Sequence, residues 1–302
     1  MPGGKERALR GRIRSVNSTK KITKAMELIA ASRIVKAVGR IGGARTYFRE
    51  ISELTRELLV TLPSYRPPLT RTGLSGTTTV LILVTSDRGL CGGYNSAVIR
   101  AYEEQVRQIE GPIELIGIGR RIENYLQFRG IASAVQINGV THLPTLDQAY
   151  SIIAPIMKRV DAGEVGRVVV VSNRFYSLGV QRLEETTLVP IDPATFSAGS
   201  TGEVDHFDFE AEPTLENVID TTLHQLVVAE FFGLLLEASA AEHAARQRAM
   251  KNATDNATEL VRNLTRAMNR VRQDAITTEI TEIVGGAEAL AQGDRAMSGD
   301  ER

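Results

Sequence analysis

The chain has 302 residues, 42% of them hydrophobic and 24% charged, with 36 Lys/Arg balanced by 36 Asp/Glu. That length and apolar content suffice for one large or two modest folded domains and exclude disorder as the default state. The single cysteine, Cys91, excludes an internal disulfide and a cysteine-based zinc cluster, and fits a reducing compartment.

The balance of charge is global, not local. Residues 1–50 carry thirteen Lys/Arg against three acids, whereas residues 201–242 carry ten acids and no Lys or Arg. Such a split implies two different partners, or one pairing within the fold. The N-terminus is charged from Lys5 onward with no apolar run behind it, so no secretory signal is expected. The stretch Leu226 to Leu236, eleven residues including Glu230 and Gly233, is too short to cross a bilayer.

From about residue 5 to 60 the chain has no proline, and the pattern predicts a long helix over 1–62. Ile34, Ala37, Ile41, Ala44, Phe48, Ile51, the polar Thr55 and Leu58 step by threes and fours, the spacing of a coiled-coil seam. Ile22, Met26 and Ile29 form an earlier segment, offset by a five-residue step. Gly39, Gly42 and Gly43 weaken this helix by up to about 1 kcal/mol each. The basic stretch Lys5–Lys24 has eight Lys/Arg and only Glu6 as acid. On charge alone it fits nucleic acid, but it lacks the aromatics that stack on bases. A solvated helical face explains it equally well.

Residues 77–195 read as an α/β domain. Thr78–Thr85 is an apolar β-branched strand, followed by a glycine-rich loop and a helix over about 95–109. Pro112–Ile118 reads as a strand, Arg120–Arg129 as a helix, 133–138 as a weak strand and 145–161 as a helix. Arg167–Val171 is a buried strand, and Val180–Val189 a last strand running the other way. The alternation predicts a mostly parallel sheet covered on both faces. The loop Ser86–Asn95 sits between strand and helix, where phosphate sites form. Its glycines match neither Gly-x-Gly-x-x-Gly nor Gly-x4-Gly-Lys-Ser/Thr. A tight turn using glycine's conformational freedom explains it at least as well. Cys91, inside the loop, has no evident base to make it a nucleophile, and His142, His206, His224 and His243 show no zinc-like spacing.

Residues 213–290 predict a second long helix. Pro213 suits a first helical turn, and roughly 75 residues of helix would run about 110 Å. Ala253, Ala257, Leu260, Leu264, Ala267 and Val271 trace a seam; Ile276, Ile280, Ile283, Ala287 and Leu290 continue it after a five-residue step. Arg272, Gln273 and Asp274 fall in that phase break, and Thr277 and Glu279 follow it. Most such polar residues are simply solvated, but the break favours a partner contact. Two seams at opposite ends of one chain predict an antiparallel intrachain coiled coil. Residues 291–302 form a short tail.

Three blocks then resemble one family. Arg10–Val16 with Lys21–Ser32, the loop Thr85–Asn95, and Ser239–Leu290, including Arg248–Ala257 and Ile276–Ala287, are similar to the γ chain of F-type ATP synthases. The resemblance covers nearly the whole chain. It implies an α/β fold in which terminal helices form a long antiparallel coiled coil with a Rossmann-like domain between them. It also implies a non-catalytic central-stalk rotor, with no cofactor and one copy per complex, coupling ion flow to ATP synthesis or hydrolysis. The partners implied are the α3β3 hexamer, the ε subunit and the membrane c-ring. The location implied is peripheral, on the cytoplasmic face of a bacterial membrane. By the same resemblance, Arg272 and Gln273 match positions that contact a β-subunit catch loop. Thr277 and Glu279 match neighbouring polar positions, and Met26 lies near the β lever. The cysteine pair of plant chloroplast members is absent. The acidic segment 201–242 is expected near the basic N-terminal helix or ε. Read from the residues alone, two alternatives stay open: a nucleotide-binding enzyme with a coiled-coil arm, and a nucleic-acid-binding coiled coil.

Overall fold

The computed structural model describes residues 2–71, 78–192 and 211–298. Helix α1 runs over Pro2–Thr61 and a 3-10 turn over Pro68–Thr70. Strand β1 (Thr78–Val84), helix α2 (Tyr94–Gln108), strand β2 (Ile113–Ile118), helix α3 (Arg120–Arg129) and strand β3 (Val135–Ile137) follow. Then come helix α4 (Leu146–Asp161), strand β4 (Val165–Phe175), strand β5 (Gln181–Val189) and helix α5 (Leu215–Ser298). The chain divides into two compact units, one of residues 28–249 and one made of 1–27 with 250–302.

In the larger unit the five strands lie in the order β3-β2-β1-β4-β5. The first four pair in parallel, and β5 is antiparallel to β4. Strand alternation sorts side chains between two cores. Val80, Ile82 and Val84 of β1, with Val168 and Val170 of β4, face a core completed by α1, α4 and α5. Leu81, Leu83, Val169 and Val171 face the other way, against Val98 and Ala101 of α2 and Ile122 and Leu126 of α3. With helices on both faces, β1 and β4 are apolar continuously and not alternately, as the sequence predicts.

Local chemistry sets the boundaries. Thr145 caps α4 through a reciprocal bond with Gln148, the capping box of an N-terminus. Gly130 ends α3 in the left-handed conformation at φ 66°. Gly119, at φ 93°, is required at the end of β2: a Cβ there would lie 2.3 Å from the Thr85 carbonyl oxygen. Pro213 does not enter the first turn of α5. Thr214 is the cap, its hydroxyl accepting from the Asn217 N–H at 3.3 Å, which leaves the proline one residue outside the helix.

α5 carries an 18-residue window of mean hydropathy 1.3, apolar enough by composition to cross a membrane. Its apolar residues are already employed: Leu223, Val227, Phe231, Leu234, Leu235 and Ala238 are buried in the core shared with the sheet, α1 and α4. Antiparallel pairing of α1 with α5 follows from Ala37 and Ile41 packing on Ala240 and Leu236, while Tyr65, further along, hydrogen-bonds Asp220 at 2.7 Å.

In the smaller unit the same helices pair through the Thr23 and Thr254 hydroxyls, 2.8 Å apart. The buried and half-buried positions of α5 in this unit include Thr254, Ala257, Val261, Leu264, Met268, Val271 and Ala275, steps of three and four, with Ala253 and Thr265 half-buried beside them. Two positions of the predicted seam lie outside it, Leu260 at 47% exposed and the exposed Ala267, whereas Ala253 is half-buried. Along α1 the seam of this unit passes through Leu9, Ile13, Val16, Lys20, Thr23 and Glu27 without a five-residue step. Ile22 and Ile29, predicted inside, are 61% and 52% exposed, and Met26 is half-buried. The reason is chemical. Two threonines satisfy each other across the seam, and long Lys and Glu stems cover apolar surface with their charges outside, so polar residues occupy positions that pattern reading reserves for apolar ones.

The acids of the segment 201–242 are only partly described, since residues 203–210 fall outside the described residues. Glu237 pairs with Arg45 at 3.1 Å and also with Arg174, and Glu242 pairs with Arg246 at 2.7 Å. Glu230 lines a 140 Å³ cavity together with Arg45, Arg174 and Glu237 and the apolar Ile41 and Phe48. Burial pushes its carboxyl up to about 7, against the pull of Arg174. The folded state thus holds this proton more tightly than the unfolded chain, and stability falls as pH rises from 4.5 to about 7. Glu230→Gln is expected to remove that loss and raise the melting temperature above pH 7. The gain is at most about 3 kcal/mol, with little change near pH 4.5. Melting curves of variant and parent across this range check it; an unchanged difference with pH would contradict it.

Candidate functional site

In doubly wound sheets, ligands bind outside the carboxyl ends of the strands. Here the loops after β1 and β3 emerge at that edge and α5 lies across them. Ser239, Glu242, His243 and Arg246 lie three and four residues apart, on one face of the helix. The Arg246 guanidinium donates to the carbonyl oxygens of Arg88 at 2.9 Å and Gly89 at 3.3 Å. The Ser239 hydroxyl donates to the His142 carbonyl oxygen at 3.2 Å. His142 and His243 meet edge to face, with ring nitrogens 3.4 Å apart. Burial first, then the neighbouring arginines, pushes His243 down to about 4 and His142 in the same direction, so both rings are neutral at pH 7.

The glycine-rich loop is closed on itself. Asn95 Oδ1 accepts from the Ser86 N–H at 2.9 Å, the Ser86 hydroxyl donates to the Arg88 carbonyl at 2.6 Å, and Asn95 Nδ2 donates to the buried Cys91 sulfur at 3.1 Å. Gly92 supplies a left-handed turn at φ 60°. Leu90 adopts the same region at φ 62° with its side chain 61% exposed, a conformation that costs a non-glycine residue about 1 kcal/mol. The place where such folds hold a phosphate is thus occupied by the chain's own helix and loop groups. Among the described residues no group of three or more His, Cys, Asp or Glu is placed to hold a metal ion. A groove of 530 Å³ lies elsewhere, between α4, α5 and Tyr47 of α1, floored by Met157 and Val228.

The predicted contact residues lie in the smaller unit. Counting outward from the Thr23–Thr254 pair in opposite directions puts Lys20 level with Ala257, Ile13 with Leu264 and Leu9 with Met268. The same count puts Ala275 level with Pro2, so among the described residues α5 has no α1 partner from Ile276 onward. Arg272, Gln273, Thr277 and Glu279 are exposed at this transition. They fall within two turns of helix, and the Thr277 hydroxyl donates to the Gln273 carbonyl oxygen at 3.0 Å. Met26 is not among them: it lies one turn from Thr23, about 30 Å from Arg272 along the helix pair. Sequence reading missed the company these residues keep. Ile276, Ile280 and Ile283 were expected inside a seam and are 47%, 56% and 72% exposed. Their signal was present, since they do not continue the steps of three and four that end at Ala275.

Comparison with known proteins places this geometry. The family described as ATP synthase matches residues 5–290. The ATP synthase gamma chain of Frankia casuarinae is 41% identical over 298 residues, covering 96% of this chain and 99% of the relative. That of Symbiobacterium thermophilum is 38% identical over 286 residues, covering 94% and 98%. A chain in the Euglena gracilis mitochondrial ATP synthase superposes with a TM-score of 0.63 at 18% identity, over 97% of this chain and 96% of that one. At that identity the superposition speaks for the fold. The identity to the bacterial relatives extends over both units, and the chain belongs to the ATP synthase γ chain family.

Proposed function

We propose that this chain is the central-stalk rotor subunit of a rotary ATP synthase and that it performs no bond chemistry of its own. The observation that carries the reading is α5 past Ala275. Here a helix continues without an α1 partner, with isoleucines and polar side chains exposed on it. An apolar surface of this kind on a soluble chain is a partner surface. The crevice of the α/β unit, in contrast, is filled by Arg246 and its bonds to Arg88 and Gly89, which argues against the nucleotide-binding alternative.

In this reading the helix pair turns inside an α3β3 hexamer, and the α/β unit engages ε and the membrane c-ring. Arg272 and Gln273 meet a catch loop of a β subunit, Thr277 and Glu279 extend that contact, and Met26 works at the β lever. Rotation couples to catalysis only if each orientation favours a different β conformation. That is a coupling free energy carried by contacts that differ between states. Arginine suits the task because its rigid fork of donors loses less freedom per bond formed. The complex places the chain at the periphery of a membrane, on the cytoplasmic face of a bacterial cell.

Two outcomes check this reading. A tagged chain is expected to co-purify with an α/β ATPase ring; a chain that brings down none, or that binds ATP or NAD tightly on its own, points to the enzyme alternative. The double variant Arg272→Ala with Gln273→Ala is expected to assemble normally. Its ATP-driven ion pumping should fall by about tenfold, given about 1.5 kcal/mol for a hydrogen bond to a charged group. Unchanged pumping would remove these two residues from the coupling contact.

A further inference from the structure

Where α5 leaves the larger unit, three loops are held to the helices in the same way. The loop after β1 offers the carbonyl oxygens of Arg88 and Gly89, at 2.9 and 3.3 Å from Arg246 Nη2. The loop after β3 offers the His142 carbonyl to the Ser239 hydroxyl at 3.2 Å, and the Pro144 carbonyl to the Arg40 guanidinium of α1. The turn between β4 and β5 offers the Gly179 carbonyl to Arg248 Nη1 at 2.6 Å, and the Gln181 side chain accepts from the same guanidinium. Every donor is thus a helix side chain, and every acceptor but Gln181 is loop backbone. Arg246 is aimed as well as bonded. It is 7% exposed, and Glu242, one turn back on α5, holds its Nη1 at 2.7 Å while the rest of the fork turns to the loop. Arg246 and Arg248 are two residues apart, about 200° around the helix, so they hold α5 from opposite sides. Both lie in its last turn before the unit ends at Ala249.

We propose that Arg40, Ser239, Arg246 and Arg248 form a torsional collar that fixes the angle of α5 against the sheet, so that torque passes between this helix and the α/β unit without angular slack. The inference rests on the rotor reading above, in which the chain must deliver its orientation to a partner. Apolar contacts are non-directional and change little when a helix turns slightly about its axis. Hydrogen bonds weaken steeply away from their preferred direction. The arginine bonds also act at the tips of long side chains, where a given twist produces the largest displacement. A guanidinium suits this position because its planar fork reaches two acceptors in a fixed geometry, as Arg246 does with Arg88 and Gly89. Backbone acceptors make the grip depend on where the loops run and not on which side chains they carry.

The test is the double variant Arg246→Lys with Arg248→Ala, in the full chain assembled with an α/β ATPase ring. The lysine keeps a charge beside Glu242 but replaces the fork by a point charge, and the alanine removes the opposing arm. With the ring fixed and a probe on the α/β unit, the angular variance of the probe is read during a catalytic dwell. It is expected to widen by up to about twofold, since two of four anchors acting in parallel are lost and the mean-square displacement rises accordingly. Arg248→Ala alone, at an exposed site, is expected to widen it less, and it decides the matter if the double variant fails to assemble. A covalent bridge supplies the rescue. A Cβ on Gly92 would stand 4.0 Å from the Ala249 Cβ, within the span of a disulfide. Gly92→Cys with Ala249→Cys, made with Cys91→Ser in the double variant, is expected to return the spread to the parent's on oxidation. The reduced form, which carries the same backbone strain, is the control. An unchanged spread in the arginine variants, or a closed bridge that restores nothing, overturns the collar. A parent chain that brings down no ring refutes the rotor reading itself, and the collar with it.

Discussion

The structure of the larger unit depends on one helix being held on every side. Over residues 226–246 α5 packs against the sheet, α1 and α4 through Phe231, Leu234 and Leu235, and carries a polar face into the loops after β1 and β3. The two faces solve different problems. Apolar burial supplies the bulk of the stabilisation, at about 25 cal/mol per Å², but it does not fix rotation about the helix axis. The bonds from Ser239 and Arg246 to backbone carbonyl oxygens do, because they exist in a single orientation. A substitution in the first set weakens the seat; one in the second removes the donors from part-buried carbonyl oxygens of the two loops.

Charge is managed with the same economy. Buried Glu237 has two arginines, Arg45 and Arg174, whereas Glu230 feels the field of Arg174 with no bonded partner among the described residues. His142 and His243 are kept neutral within a ring of guanidiniums. The acidic run that looks uniform as a string is therefore a set of unlike sites, distinguished by what each carboxyl meets after folding.

Most of the α/β unit was legible in the sequence because its signals are local. Continuous β-branched runs mark Thr78–Val84 and Val165–Phe175, Thr145 with Gln148 marks the start of α4, and glycines mark the turns. The coiled coil was legible as a period but not as a face. Apolar Ile22 and Leu260 suggested one stripe, while the helices meet on Thr23 and Thr254, and nothing local distinguishes a threonine that meets a threonine from one that meets water. The crevice filled by Arg246 was invisible for a different reason. Arg88 and Arg246 are 158 positions apart, and only the tertiary fold makes them neighbours. The positions Arg272, Gln273, Thr277, Glu279 and Met26 came from family resemblance. What the structure adds is that the first four stand at the end of helix pairing, with exposed isoleucines among them.

That end of pairing has a mechanical meaning. Two helices joined along a seam resist bending far more than either alone, since flexing one must stretch or compress the other. Up to Ala275 the helix of the smaller unit has such a companion; beyond it, among the described residues, elastic resistance rests on one backbone's own hydrogen bonds. Torque applied across this boundary meets a sudden change in compliance, so elastic strain collects in the single helix before the paired stretch yields. The side chains at the boundary sit where a stiff rod becomes a spring, and a contact made there feels energy stored on one side and rigid displacement on the other.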